Sequence, residues 1–146
     1  MVANLFDRLL LAASFAHVLL TLGLLIRLGF LRVAAVRTRQ VSIRDVALSS
    51  DGYPEHALKV GKSFSNQFEI PMLFYFGIAV LLIFGNVTLW HVVLAWAFVA
   101  LRYLHAGIHI TTNNVNQRFA VYLVGVIVLT GLMLSIYLPI LFGLGG

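Results

Sequence analysis

Four stretches of this chain stay apolar for as long as a helix needs to cross a bilayer: about Leu9–Leu31, Phe64–Phe84, Thr88–Ile110 and Phe119–Phe142. A hydrocarbon layer roughly 30 Å thick takes about 20 helical residues. Nothing else in the sequence constrains the fold as much. Hydrocarbon offers a peptide group no partner, so each stretch must close its own hydrogen bonds as a helix, and so few segments cannot close a β-barrel. The expected fold is all-α: an integral membrane four-helix bundle, one domain over residues 1–146 with a loop over about 32–60. Composition agrees, because 61% hydrophobic and 10% charged residues leave more apolar surface than a soluble domain of this size hides.

The first stretch is too long for a secretory leader and continues past Ala12 and Ala13 with no cleavage site, so it is expected to remain as a span. Orientation follows from the connections. Arg32, Arg37, Arg39, Arg44 and Lys59 lie between the first two spans, with Arg27 just inside. Gly85-Asn86-Val87 carries no Lys or Arg, and the third connection ends at Arg118. The positive-inside bias puts the first and third connections in the cytoplasm and both termini outside it. A net charge of +5, clustered beside apolar runs, fits anionic headgroups and argues against nucleic acid. The chain has no cysteine, which excludes disulfides and any thiol ligand or nucleophile of its own.

Polar residues inside the spans are the clearest functional signal. Lys62, Asn66 and Glu69 are spaced to share one helical face. Arg102, His105 and His109 do the same on the third span, and Arg118 and Tyr122 open the fourth. All lie in the same half of the bundle. Intramembrane charges are costly and usually turn inward to pair. All five acids lie at or before Glu69, which makes Glu69 the one carboxylate expected at membrane depth. It cannot neutralise Lys62, Arg102 and Arg118 together, so an anionic ligand fits the surplus. A structural Glu69–Arg102 pair, with the other cations reaching headgroups, reads from the same residues. His105 and His109 have a metal-like spacing but no third ligand nearby, and no metal is expected. Isolated His17, His56 and His91 read as interfacial, Trp90 and Trp96 as interface or packing residues, and Pro71 as a tolerated kink.

At "NQFEIP" (Asn66, Glu69, Pro71), "RYLHAGIH" (Arg102, His105) and the "NNVNQR" approach to Arg118, the chain resembles the MAPEG family, the membrane-associated proteins of eicosanoid and glutathione metabolism. The basic first connection and the four spans match as well, so the resemblance covers nearly the whole chain. It implies a homotrimer of bacterial type, in the inner membrane, with glutathione bound between subunits and a lipophilic substrate arriving from the lipid. By position, Lys62, Asn66, Glu69, Arg102, His105, His109 and Tyr122 would contact or frame the tripeptide, with Arg32 a further contact from the first helix. Arg118 would stabilise the thiolate. Lys62 departs from a common Arg and His109 from a common Tyr, while Ser65 and Phe119 depart from the prostaglandin-synthase branch. The implied activity is a glutathione transferase or peroxidase. The alternative is a non-catalytic bundle that binds a lipid headgroup or another anion, and a channel is disfavoured because no repeat pair or matched helix break is visible.

Overall fold

The structure, a computed structural model, describes residues 4–143. It is all-helical. Helix α1 spans Leu5–Arg37, α2 Glu55–Ser65, α3 Ile70–Phe84, α4 Leu89–Ile110 and α5 Val115–Phe142, with a single 3-10 turn at Asn66–Phe68 between α2 and α3. Helices α2 and α3 stack as one column over Glu55–Phe84, so four columns are long and apolar enough to cross a membrane. The chain is an integral membrane protein that crosses more than once.

Helix starts follow from local chemistry. The first amides of a helix lack intrahelical acceptors. At α1, the Asn4 side chain accepts from the Asp7 amide and Asp7 accepts from the Asn4 amide, both at 2.9 Å, a reciprocal cap. At α4, His91 closes a similar box: its Nδ1 accepts from the Thr88 amide at 3.1 Å, and Nε2 faces the Ser135 carbonyl of α5 at 3.4 Å. His91 is therefore a cap and a helix-to-helix contact. Before α5, the Asn114 side chain accepts from the Gln117 amide at 3.1 Å. The α4–α5 link turns sharply because Asn113 takes a positive φ of 51°, which Asn tolerates better than most residues.

The column α2–α3 breaks at one place, and the kink expected at Pro71 is a full interruption. Proline has no amide hydrogen, and its ring collides with the carbonyl four residues earlier, here Gln67. The helix tightens into the 3-10 turn, and Glu69 leaves the helical region at φ −91°, ψ −107° before α3 restarts with Pro71 in its first turn.

Helices α1 and α4 run parallel and are held in register by two aromatic donors. Trp96 Nε1 donates to the Leu9 carbonyl at 3.2 Å, and Tyr103 Oη donates to the Ala16 carbonyl at 2.8 Å. Donors and acceptors are each two helical turns apart, so the helices are pinned at matching intervals. Trp96 thus has a specific backbone partner beyond its place in an interface belt. The register also sets Arg102 level with the stretch of α1 around His17. At 1.5 Å per residue, that level lies about 12 Å inside the Ile110 end of α4.

Two apolar clusters flank this level. One holds Leu10, Phe74, Leu81, Phe98, Leu132 and Ile136, with the Phe74 and Phe98 rings stacked at 4.9 Å. The other, nearer the α1–α2 loop, holds Leu24, Leu28, Val60 and Ala106. Between them sits a polar layer of buried His17, Gln67 and Arg102. Large apolar side chains such as Phe30, Ile83 and Leu141 point outward, as expected where lipid replaces water.

Candidate anion cavity and buried polar layer

The α1–α2 loop and the α4–α5 link meet at the same end of the bundle. With α2 between them they enclose an open cavity of about 820 Å³, lined among others by Arg32, Lys62, Asn66, Glu69, His109 and Arg118. Six of the sequence-derived site residues therefore converge on one space. Its size falls within the range of pockets that take small-molecule ligands.

Each cation reaches this space by a different route. Arg32, on the last turns of α1, donates through Nη2 to Ser50 Oγ at 3.2 Å and lies 5.1 Å over the Tyr53 ring, a cation–π arrangement. Arg118 sits on the first turn of α5 and donates through Nη1 to Asn113 Oδ1 at 2.5 Å. The same Nη1 lies 3.3 Å from His109 Nε2. The strained Asn113 backbone thus carries the acceptor that aims Arg118. Lys62 is exposed on α2, and no ion pair engages it among the described residues.

The anionic side differs from the expectation. Glu69 is not the lone acid: Asp51 and Glu55 line the cavity too, because the loop folds back over it and α2 starts beside it at Glu55. Glu55 is taken up by Lys59 at 2.7 Å. That leaves Arg32, Lys62 and Arg118 facing Asp51 and Glu69, so a positive surplus remains but is narrower than the sequence implied. No ion pair joins Glu69 to Arg102 or Arg118 among the described residues, and Glu69 is exposed at the helix break. The structural Glu69–Arg102 pair is not formed.

Arg102, His105 and Tyr122 do not line the cavity. They share a narrow crevice with Ile70 and Gly125 on the far side of its wall, with the His105 and Tyr122 rings 6.1 Å apart. Arg102 is only 4% exposed, and its partners are neutral. Nη2 donates to the Asn66 carbonyl at 2.9 Å and to Gln67 Oε1 at 3.3 Å. The first acceptor is a carbonyl at the edge of the α2–α3 break, so the interruption and the arginine satisfy each other.

Gln67 organises the layer, and residue spacing alone missed it. Its Nε2 donates to the Ser63 carbonyl at 2.7 Å, which fixes the amide orientation. Oε1 must then accept both from Arg102 and from His17 Nε2 at 3.2 Å. A proton on Nε2 leaves His17 Nδ1 as the acceptor for the Tyr75 hydroxyl at 2.7 Å. His17 is fully buried at the centre of this chain, not at an interface. One sequence signal was available: an imidazole many residues inside an apolar run has no water within reach and needs protein partners. Among the described residues, no three His, Asp or Glu side chains converge as a metal-ligand set.

Among curated proteins and among solved structures, none matches this chain. The family model described as MAPEG matches residues 10–138, a stretch that holds the whole polar layer and every sequence-derived site residue. The chain belongs to the MAPEG family.

Proposed function

We propose that this protein is a glutathione-dependent transferase or peroxidase acting on lipophilic electrophiles, assembled as a homotrimer in a bacterial inner membrane. The observation that carries the reading is the cavity of about 820 Å³ faced by Arg32, Lys62 and Arg118 against fewer free acids. Family membership fits glutathione-linked membrane chemistry. Glutathione has two carboxylates and one ammonium, and the cavity offers cations for the former and Glu69 or Asp51 for the latter. Such charge-assisted contacts are the strong class of hydrogen bond.

Arg118 supplies the catalytic step in this reading. A free thiol ionises near pH 8.5, and each unit of depression needs about 1.4 kcal/mol of preference for the thiolate. A guanidinium within a few ångströms lowers such a pKa by about one to two units. Asn113 and His109 hold Arg118 without cancelling its charge, since both are neutral acceptors. The thiolate then attacks the electrophilic atom of a membrane-dissolved compound. A sulfur–carbon bond forms in the transferase case, and the leaving group departs with the electron pair.

Titration of the purified protein with glutathione is the first test, and binding at millimolar concentration or below is expected. Arg118→Ala should cut conjugation of a generic electrophile by roughly a hundredfold, as loss of one charge-stabilising donor does, with the assembly intact by size-exclusion chromatography. A lipid-headgroup site is the second reading, favoured by the apolar Leu25, Leu28 and Phe64 along the same cavity. It predicts a co-purifying anionic lipid that Arg118→Ala releases, and no heat on adding glutathione.

A further inference from the structure

We infer that Gln67 is a positioning residue that holds Arg102 with a neutral acceptor, so that no ion pair neutralises the arginine behind the cavity wall and its charge acts on an anion inside the cavity. The inference rests on the glutathione reading above and assigns a role to a residue outside the cavity lining.

Arg102 and the cavity are separated by one peptide unit. The carbonyl that Arg102 binds belongs to Asn66, and Asn66 itself lines the cavity. A guanidinium buried among helices usually faces a carboxylate, because an unpaired buried charge is costly. Here the position that faces it is an amide. Gln67 is locked by the Ser63 carbonyl and loaded by His17, so its oxygen cannot turn away. The nearest acid in sequence, Glu69, lies past the break; it attracts Arg102 through space but makes no ion pair with it among the described residues. The arginine is thereby held in place by neutral acceptors and not by an ion pair, and Nε, with no hydrogen-bond partner, shows that the clamp leaves part of the fork unused. The buried guanidinium itself is shielded from water, so its charge is felt at the cavity one peptide unit away.

Charge and shape are separable at this position. Gln67→Glu keeps the length of the side chain but neutralises Arg102. Gln67→Met keeps the volume and the charge of Arg102 but removes the acceptor. Glutathione affinity by titration calorimetry and melting temperature in detergent are measured for both, beside wild type and Arg102→Met. The expected results are a loss of affinity of roughly tenfold in Gln67→Glu, as loss of one charge acting across a short distance gives, a similar loss in Arg102→Met, and a smaller one in Gln67→Met. Melting temperature should order the other way, with Gln67→Met below Gln67→Glu, because the new carboxylate supplies Arg102 with a partner. If affinity simply follows melting temperature, Gln67 is structural and the inference is overturned. If Gln67→Glu fails to fold, the comparison of Gln67→Met with Arg102→Met decides: equal losses of affinity overturn it, and a clearly smaller loss in Gln67→Met supports it. A wild-type protein that binds no glutathione removes the function reading itself, and this inference falls with it; a binding wild type with an unchanged Gln67→Glu variant defeats the inference alone.

Discussion

His17 shows how a single side chain can tie a membrane bundle together. It sits in α1, yet its two ring nitrogens face Tyr75 on α3 and Gln67 on the turn after α2. Through Gln67 it reaches Arg102 on α4. In hydrocarbon, removing one partner leaves the others without acceptor or donor, and an unsatisfied buried group costs about 1–3 kcal/mol. His17→Leu should therefore destabilise the protein by about 1–3 kcal/mol, since it strands both the Tyr75 hydroxyl and one lone pair of Gln67. Tyr75→Phe, which removes only the outermost donor, should cost less, about 0.5–1.5 kcal/mol. Reversible unfolding in mixed micelles measures both, and an equal loss from the two substitutions would contradict the chain of donors described above. The polar residues singled out by spacing, such as Lys62, Asn66 and Glu69, were legible because helical periodicity is a local property. Gln67 was not, because its importance arises from His17 and Arg102, which are far away in sequence.

At the level of the helices, the break between α2 and α3 is the feature that connects fold to site. Its cause is local: Pro71 removes one amide and blocks the carbonyl of Gln67. Its consequence is not local, since a carbonyl at that break becomes an anchor for Arg102. Pro71→Ala should let the helix close across Asn66–Ile70, so that the Ile70 amide competes with Arg102 for the Asn66 carbonyl. Amide hydrogen exchange over 66–72 should slow in that variant, and unchanged exchange would mean that something other than the proline keeps the helix open. The contact between α3 and α5 is equally specific. A Cβ on Gly77 would fall within 2.8 Å of the Met133 sulfur. The flexible end of Met133 can withdraw from one methyl group, so Gly77→Ala should be mild. Gly77→Val should destabilise by about 1–3 kcal/mol, the usual range for overpacking, as read by the same unfolding assay.

For the molecule as a whole, the distribution of charge around a membrane is the property to test. Arg37, Arg39 and Arg44 are exposed at the loop end, whereas the opposite turn at Gly85-Asn86-Val87 carries no Lys or Arg. If the loop end is cytoplasmic, as the positive-inside bias implies, the absence of cysteine gives a clean readout. Ser49→Cys should react with a membrane-impermeant maleimide in inverted vesicles and not in spheroplasts, and Asn86→Cys should behave in the opposite way. The reverse pattern would turn the topology over, and would place the cavity on the other side of the membrane. The exposed Lys62 and Glu69 beside an open cavity also fit a neighbouring subunit closing it, which native mass spectrometry in detergent addresses with an expected count of three copies.

The four columns, their all-helical character and the depth of the polar faces were determined by the sequence itself. Hydrocarbon allows a peptide only one local solution, and charge placement and helical spacing are read residue by residue. Which cations share a cavity and which lie behind its wall was decided only by the tertiary structure. So was the recruitment of Asp51 from the folded-back loop and of Glu55 from the start of α2, and the choice of an amide rather than a carboxylate to hold Arg102. These outcomes depend on the relative rotation and register of helices far apart in the chain, which the α1–α4 hydrogen bonds and the break at Glu69 set, and no local pattern encodes them.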